Sequence, residues 1–367
     1  MSAPRNAVTI VGLALVAAMS VVVALLMAEG AVRIRHWVRH GSAAPLEDSL
    51  SVDAATGLRV PHGNDRVHIN ALGFRGPEIE ARKPAGTVRL AFLGGSTTFC
   101  AEASSDETTW PHVVWRELSA AKAPHTFDYI NAGVPGYRIV HLTQTLRQRI
   151  APLAPDVVVI YEATNDLSVD SRELARRQGL IGPELAETSP LARYSFLWFL
   201  IEKNVALRTL QANALNDEGK LRYDARALSA AFEQRLTELV QASQAVAPVV
   251  AVATFAPRLR RGQPDAERRR AAVTALYYMP YMTLDGLLDG YEEYNAAIRR
   301  VAAATGALLI EGADTIPADD THYADSVHFT DAGSAAMAAR VSSALLASPA
   351  LTGLLDGVRT ARVEVAH

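Results

Sequence analysis

Short, unbroken apolar runs recur along this chain, and longer stretches with helical periodicity separate them. Runs near 88–94, 127–132, 156–162, 247–254 and 306–311 each have the length of a strand. None alternates apolar with polar positions, so each reads as a strand covered on both faces. Between them Leu228, Phe232, Leu236, Leu239 and Val240 form one apolar helical stripe, and a further helix is predicted over about 285–304. A last helix, starting near Thr330 or Asp331, carries Met337, Val341 and Leu345. Alternating strands and helices of this kind predict an α/β fold: a five-stranded parallel sheet with helices on both sides.

The amino-terminal part breaks this rhythm. Residues 7–28 form an uncharged apolar stretch of about 22 residues, long enough to cross a bilayer core, after an amino-terminal tail of residues 1–6. A signal peptide is the competing reading, but the apolar segment is long for one and no convincing small-x-small cleavage site precedes Glu29, so a single-pass transmembrane anchor is the expectation. Glu29 to His40 then reads as a basic, partly apolar helix along the membrane surface, and residues 41–66 as an irregular lead-in within a 29–86 segment. The strand-helix domain spans 87–349, and 350–367 is left as a carboxy-terminal tail. Two stretches, about 170–225 and 257–284, exceed what simple crossovers need. The first holds Tyr194, Phe196, Trp198 and Phe199; the second holds Arg258, Arg260, Arg261 and Tyr277, Tyr278, Tyr281. Both read either as lids over a site or as ordinary core aromatics and solvated basic loops.

Composition narrows the function classes. With 49% hydrophobic and 20% charged residues, the 367-residue chain can bury a substantial core. A net charge of −3 gives no reason to expect nucleic-acid binding. Cys100 is the single cysteine, which excludes an intramolecular disulfide and a cysteine-based metal cluster. It reads as a small packing residue. No phosphate-binding glycine loop or metal-ligand spacing is present, and no cofactor is expected.

Chemistry concentrates at the ends of the apolar runs. Ser96 follows Gly94 and Gly95 at the end of the first, a tight turn in which glycines bend the backbone and leave space beside the hydroxyl. Taken alone, a serine there also suits an ordinary helix cap. Downstream, Asp325 and His328 are spaced so that the carboxylate reaches one imidazole nitrogen and leaves the other free to take a proton from Ser96. The turn Asn131-Ala-Gly133-Val-Pro135-Gly136 follows the second run; it is either plain punctuation or a place where Gly136 presents an N–H to an oxyanion. Asn165 and Asp166 end the third run, where an asparagine either caps a helix or lends its amide to the same oxyanion.

Together these four segments resemble the SGNH (GDSL-type) hydrolase family over roughly residues 87–347. The nucleophile block matches Gly94-Gly95-Ser96-Thr97, the glycine block Asn131 to Gly136, the Gly-x-Asn-Asp block Ala163 to Asp166, and the Asp-x-x-His block Asp325 and His328. The resemblance implies a three-layer α/β/α, flavodoxin-like fold with strand order 2-1-3-4-5. It also implies Ser96 as nucleophile, His328 as general base and acid, and Asp325 as its orienter. The oxyanion hole would comprise the Ser96 and Gly136 N–H groups and the Asn165 amide, with Gly133 the weaker candidate for the glycine role. Asp166 holds the turn. Gly95 stands where many members carry Asp, as in a membrane-anchored Gly-Gly-Ser-Thr-Thr subgroup. Ala163 replaces a usual glycine, and Cys100 sits where the subgroup often has one. Arg75, in a segment resembling one upstream of the nucleophile block, is either a substrate contact or a structural ion pair.

The expected activity is hydrolysis of carboxylic esters, with O-acetylated glycans as the guessed substrate. An O-acyltransferase acting on cell-envelope glycan would use the same residues, and a retired glycan-binding protein is the alternative from another class. Arg33, Arg35 and Arg39 after the apolar stretch would leave the domain in the cytoplasm by the positive-inside rule. The resemblance implies the extracytoplasmic side, which is the expectation taken.

Overall fold

The computed structural model describes residues 4–40, 50–181, 189–212 and 217–365; residues 41–49 of the expected lead-in and two parts of the 170–225 segment lie outside them. Helix α1 (Pro4–His40) runs unbroken through both the apolar stretch and the basic segment after it. The lead-in contains a small antiparallel hairpin, β1 (Leu50–Val52) with β2 (Arg59–Pro61), where irregular chain was expected. The order then continues β3 (Thr87–Gly94), α2 (Ser96–Phe99), α3 (Trp110–Ala121), β4 (Thr126–Gly133), α4 (Ile139–Thr145) and β5 (Val157–Tyr161). It goes on with α5 (Thr164–Arg177), α6 (Pro190–Tyr194), α7 (Phe196–Ala212), α8 (Ala225–Gln244) and β6 (Val249–Ala253). Helices α9 (Asp265–Tyr278) and α10 (Leu284–Thr305), strand β7 (Leu308–Ile310), α11 (Asp331–Leu346) and α12 (Pro349–Val365) complete it. The expected carboxy-terminal tail is thus a helix, which buries Leu351 and Leu355.

Five strands form one parallel sheet in the order β4-β3-β5-β6-β7, with β3 paired to β4 from Thr87–Thr126 to Gly94–Gly133. Every residue of β3, β5 and β6 is buried, as expected of predominantly apolar strands covered on both faces. Helices α3 and α11 pack together as one group, and α8 with α4, α5 and α10 as another. The apolar stripe of α8 is buried from Phe232 to Val240, and Met337, Val341 and Leu345 are buried on α11.

Two buried arginines stand out because an unpaired buried charge is costly. Arg89, inside β3, pairs with Asp128 at 2.6 Å and donates to the carbonyls of Glu80 at 2.8 Å and Leu153 at 2.9 Å. Arg340 on α11 donates to the carbonyls of Thr254 and Ile310, each at 2.7 Å, and of Glu311 at 2.6 Å. It therefore ties the helix after the His328 loop to the carboxyl ends of β6 and β7.

Candidate functional site

Ser96, Asn165 and the Asp325/His328 loop all follow carboxyl ends of sheet strands, the rim where open α/β sheets gather ligand-binding groups. Ser96 starts the four-residue helix α2 directly after β3. Neither Gly94 nor Gly95 has a positive φ, contrary to the expected bend; what they provide is room. A Cβ on Gly95 would stand 2.4 Å from Glu162 Oε2 and 2.6 Å from Asn165 Nδ2. Arg75 is buried behind the turn. It pairs with Asp106 at 2.7 Å and donates to the carbonyls of Phe99 at 2.8 Å and Cys100 at 2.6 Å, so its role is to hold the end of the serine helix. Cys100 caps that helix with φ 60°, in the left-handed region that explains why glycine suits the position. Its thiol is buried, and burial pushes it up to about 11.

His328 Nε2 lies 2.7 Å from Ser96 Oγ, and its Nδ1 lies 2.9 Å from Asp325 Oδ2. The other Asp325 oxygen accepts from the N–H groups of Val327 at 2.9 Å and His328 at 2.8 Å, which fixes the carboxylate. Burial pulls the imidazolium down, but the Asp325 charge and hydrogen bond outweigh it, so His328 stands above its ordinary pKa. Burial would raise Asp325, yet the His328 charge and these hydrogen bonds hold it down at about 2.

Contacts from distant elements brace this loop. Asp331, at the start of α11, accepts from Ser104 N at 2.9 Å and Ser104 Oγ at 2.5 Å, joining the loop to the chain that follows the serine helix. The 257–284 segment is packed onto it: Ser326 Oγ accepts from Thr274 N at 3.0 Å and Ala275 N at 3.1 Å, and Arg258 N donates to Ser326 O at 2.9 Å. Of its tyrosines, Tyr281 is buried and donates to Ser168 O at 3.0 Å, while Tyr278 is exposed.

Asn165 is half-buried beside the serine turn and donates through Nδ2 to Tyr137 O at 2.8 Å, with Glu162 Oε2 at 3.3 Å. Ala163 has a φ of −159°, so the usual glycine is not needed there. Asp166 accepts from Ile139 N at 2.9 Å and from Arg235 at 3.0 Å; burial raises it to about 6. Gly136 lies on the turn after β4, exposed, at φ 78°, one residue before the carbonyl that holds Asn165. Gly133 is committed elsewhere. Its N–H donates to Asn131 Oδ1 at 3.0 Å, and a Cβ there would stand 2.2 Å from Phe99 N.

Sequence reasoning passed over Glu162. It is 1% exposed, and its Oε1 accepts the Asn165 N–H at 2.9 Å. Burial pushes its carboxyl up to about 8 and the Asp166 charge adds to this, against the pull of backbone N–H groups of Asn165, Ala163 and Gly95. Burial beside the serine turn therefore favours the uncharged form of this carboxyl. The one signal in the sequence was an acidic residue placed directly after an all-apolar strand.

A parallel sheet whose rim carries a hydroxyl, an imidazole and a carboxylate in one hydrogen-bonded chain defines the class: an α/β protein with a Ser–His–Asp site. The chain belongs to the GDSL-like Lipase/Acylhydrolase family, whose profile matches residues 92–336, well over half of its length. No curated protein matches it in sequence. Among solved structures it is similar to a lipase/acylhydrolase from Enterococcus faecalis, at 17% identity and TM-score 0.42, covering 70% of this chain and 94% of that one. It is also similar to an acetylxylan esterase from Geobacillus stearothermophilus, at 18% identity and TM-score 0.40, covering 71% and 93% of the two chains.

Proposed function

We propose that this protein is a serine esterase in which Ser96 is the nucleophile, His328 the general base and acid, and Asp325 the group that orients the imidazole. The observation that carries the reading is the Ser96–His328–Asp325 chain at 2.7 Å and 2.9 Å, with Asp325 itself fixed by two backbone N–H groups. Ser96 Oγ attacks the ester carbonyl carbon while its proton passes to His328 Nε2. The carbon–oxygen bond to the alcohol breaks, and the alcohol leaves with that proton. Water, deprotonated in turn by His328, attacks the acyl-serine, and the acid departs as Ser96 regains its proton. The N–H groups of Ser96 and Gly136 and the Asn165 amide are the proposed oxyanion donors. The proximity of Asn165 to Gly95 supports this assignment for Asn165. An uncharged Glu162 keeps a second negative charge away from the oxyanion.

The finer reading is an acetyl esterase of cell-envelope glycans, held by α1 as a retained anchor, with its domain on the extracytoplasmic side. It rests on the family resemblance and on a helix that is long and apolar enough to cross a bilayer. Helix α1 also continues beyond the apolar stretch into side chains that bond the domain, which suits an anchor better than a cleaved leader. Labelling with a serine-directed fluorophosphonate tests the chemistry: the wild type is expected to label and Ser96→Ala not to. Labelling that survives Ser96→Ala would refute the assignment. Rates on acetyl against long-chain aryl esters test the acyl group.

A further inference from the structure

The 170–225 segment does not stand apart from the amino-terminal helix. Glu29, the first charged residue after the apolar stretch, accepts hydrogen bonds from Ser195 Oγ at 2.9 Å and from the N–H groups of Phe196 at 2.9 Å and Leu197 at 2.8 Å. It thereby satisfies donors at the start of α7 that would otherwise lack partners. Arg33 pairs with Glu29 at 2.6 Å and lies 6.0 Å from the centre of the Phe196 ring, and His36 meets that ring edge-on at 4.9 Å. These contacts fix the start of α7 beside α1 at the level where α1 turns from apolar to charged.

Around this joint the protein exposes apolar surface. Leu191 is 52% exposed, Tyr194 86%, Trp198 39%, Ile201 43% and Val205 59%. Trp198, Ile201 and Val205 follow helical spacing and share one face of α7. Ile34, on α1 within the same joint, is 64% exposed.

We propose that α6 and α7 lie on the lipid surface, with this face in the boundary between headgroups and acyl chains, as a second attachment beside the α1 anchor. The inference rests on the reading of α1 as a retained membrane span. The level of the joint supplies the argument. About 22 residues at about 1.5 Å each cover roughly 33 Å, the thickness of a hydrocarbon core, so Glu29 to His36 fall among the headgroups. The Glu29 contacts hold Tyr194 and Trp198 near that depth, where amphipathic aromatic rings are favoured. The exposed Arg208, seven residues after Ile201 on α7, adds charge that suits anionic headgroups. One attachment point leaves the domain free to swivel about α1. A second one holds the Ser96 rim at a fixed attitude to the membrane.

The test uses the full-length chain in lipid nanodiscs, with Val16→Cys, Trp198→Cys, Val205→Cys or Glu238→Cys carrying an environment-sensitive fluorophore. The buried Cys100 stays unlabelled, which the wild type controls. Spin-labelled lipids and aqueous iodide serve as quenchers. Lipid quenching at 198 and 205 several-fold above that at the remote position 238, with iodide protection, is the expected result. If position 16 is quenched by lipid while 198 and 205 match 238, the surface attachment is wrong and the anchor stands. If position 16 also matches 238, the anchor reading itself falls, and this inference with it. Protection at 198 and 205 that appears only in discs holding two copies would assign the face to self-association and overturn the lipid proposal. Trp198→Glu with Val205→Glu is expected to abolish lipid quenching near the joint, read at Ile201→Cys, while leaving fluorophosphonate labelling of Ser96 unchanged.

Discussion

The Glu162 carboxyl fills the space beside the Gly95 Cα, where any side chain on residue 95 would have to stand. Two carboxyl-end turns thus share one volume, and the glycine of one makes room for the acid of the other. The two nearest atoms in the way, Glu162 Oε2 and Asn165 Nδ2, are ends of side chains, and the Tyr137 carbonyl oxygen follows at 3.3 Å. Gly95→Ala is therefore expected to fold but to displace both groups. Steady-state kinetics should show a fall in kcat of about 10²-fold, the scale set by misplacing a catalytic group by an ångström, with little change in Tm. Unchanged kcat would separate the Glu162–Asn165 arrangement from the reaction.

The same acid predicts an alkaline limit. A carboxyl raised to about 8 is protonated at neutral pH and ionises as pH rises past that value, placing negative charge next to the developing oxyanion. Activity should fall through this range, and Glu162→Gln, which stays neutral, should lose that limb of the profile. Stability has the same sign. A group whose folded pKa exceeds its unfolded one contributes stability that is full below the unfolded value and is lost as pH rises through the folded value. The Tm of Glu162→Gln should accordingly fall less than that of the wild type as pH rises from the ordinary carboxyl value of 4.5 to about 8. Parallel curves for the two proteins would refute the assignment.

His328 sets the acid limb. As a general base it must be neutral, and Asp325 raises its pKa, so kcat/KM should climb through a value above the ordinary histidine range. Asp325→Asn removes that charge. Its acid limb should move to lower pH while kcat drops by up to about 10⁴-fold, because the imidazole loses its preferred tautomer. A full-rate Asp325→Asn variant would exclude Asp325 from the mechanism.

Asn165→Ala should cost about 10²–10³ in kcat, or roughly 2.7–4 kcal/mol of barrier, with a smaller effect on KM, if its amide serves the transition state more than the bound ester. The ground-state bond from Nδ2 to Tyr137 O gives a second readout. Asn165→Asp keeps the size but not the amide donor, and it should be as impaired as Asn165→Ala.

Cys100 is expected to resist thiol reagents in the folded protein. The residue is 6% exposed, its sulfur lies 3.3 Å from the Thr98 carbonyl, and burial pushes its pKa up to about 11, so little thiolate is accessible at neutral pH. Alkylation followed by mass spectrometry, native against unfolded, checks this; rapid native labelling would contradict the buried placement.

Sequence by itself determined the five strands of the sheet, because a strand covered on both faces is predominantly apolar, and that signature is local. It also determined the candidates Ser96 and Asn165, each a polar group just past an apolar run, and Asp325 and His328, whose spacing of three residues is itself local. Local patterning had no access to events between distant segments. The carboxyl of Glu162 beside Gly95, the Ser104–Asp331 clasp, and the docking of α7 on Glu29 all join residues far apart in the chain. Their partners are chosen by packing, and packing exists only once the sheet has formed. The same reason accounts for the glycines of the serine turn. Their sequence suggested a bent backbone as well as room, whereas the tertiary structure uses only the room, and fills it at Gly95 with Glu162 and Asn165.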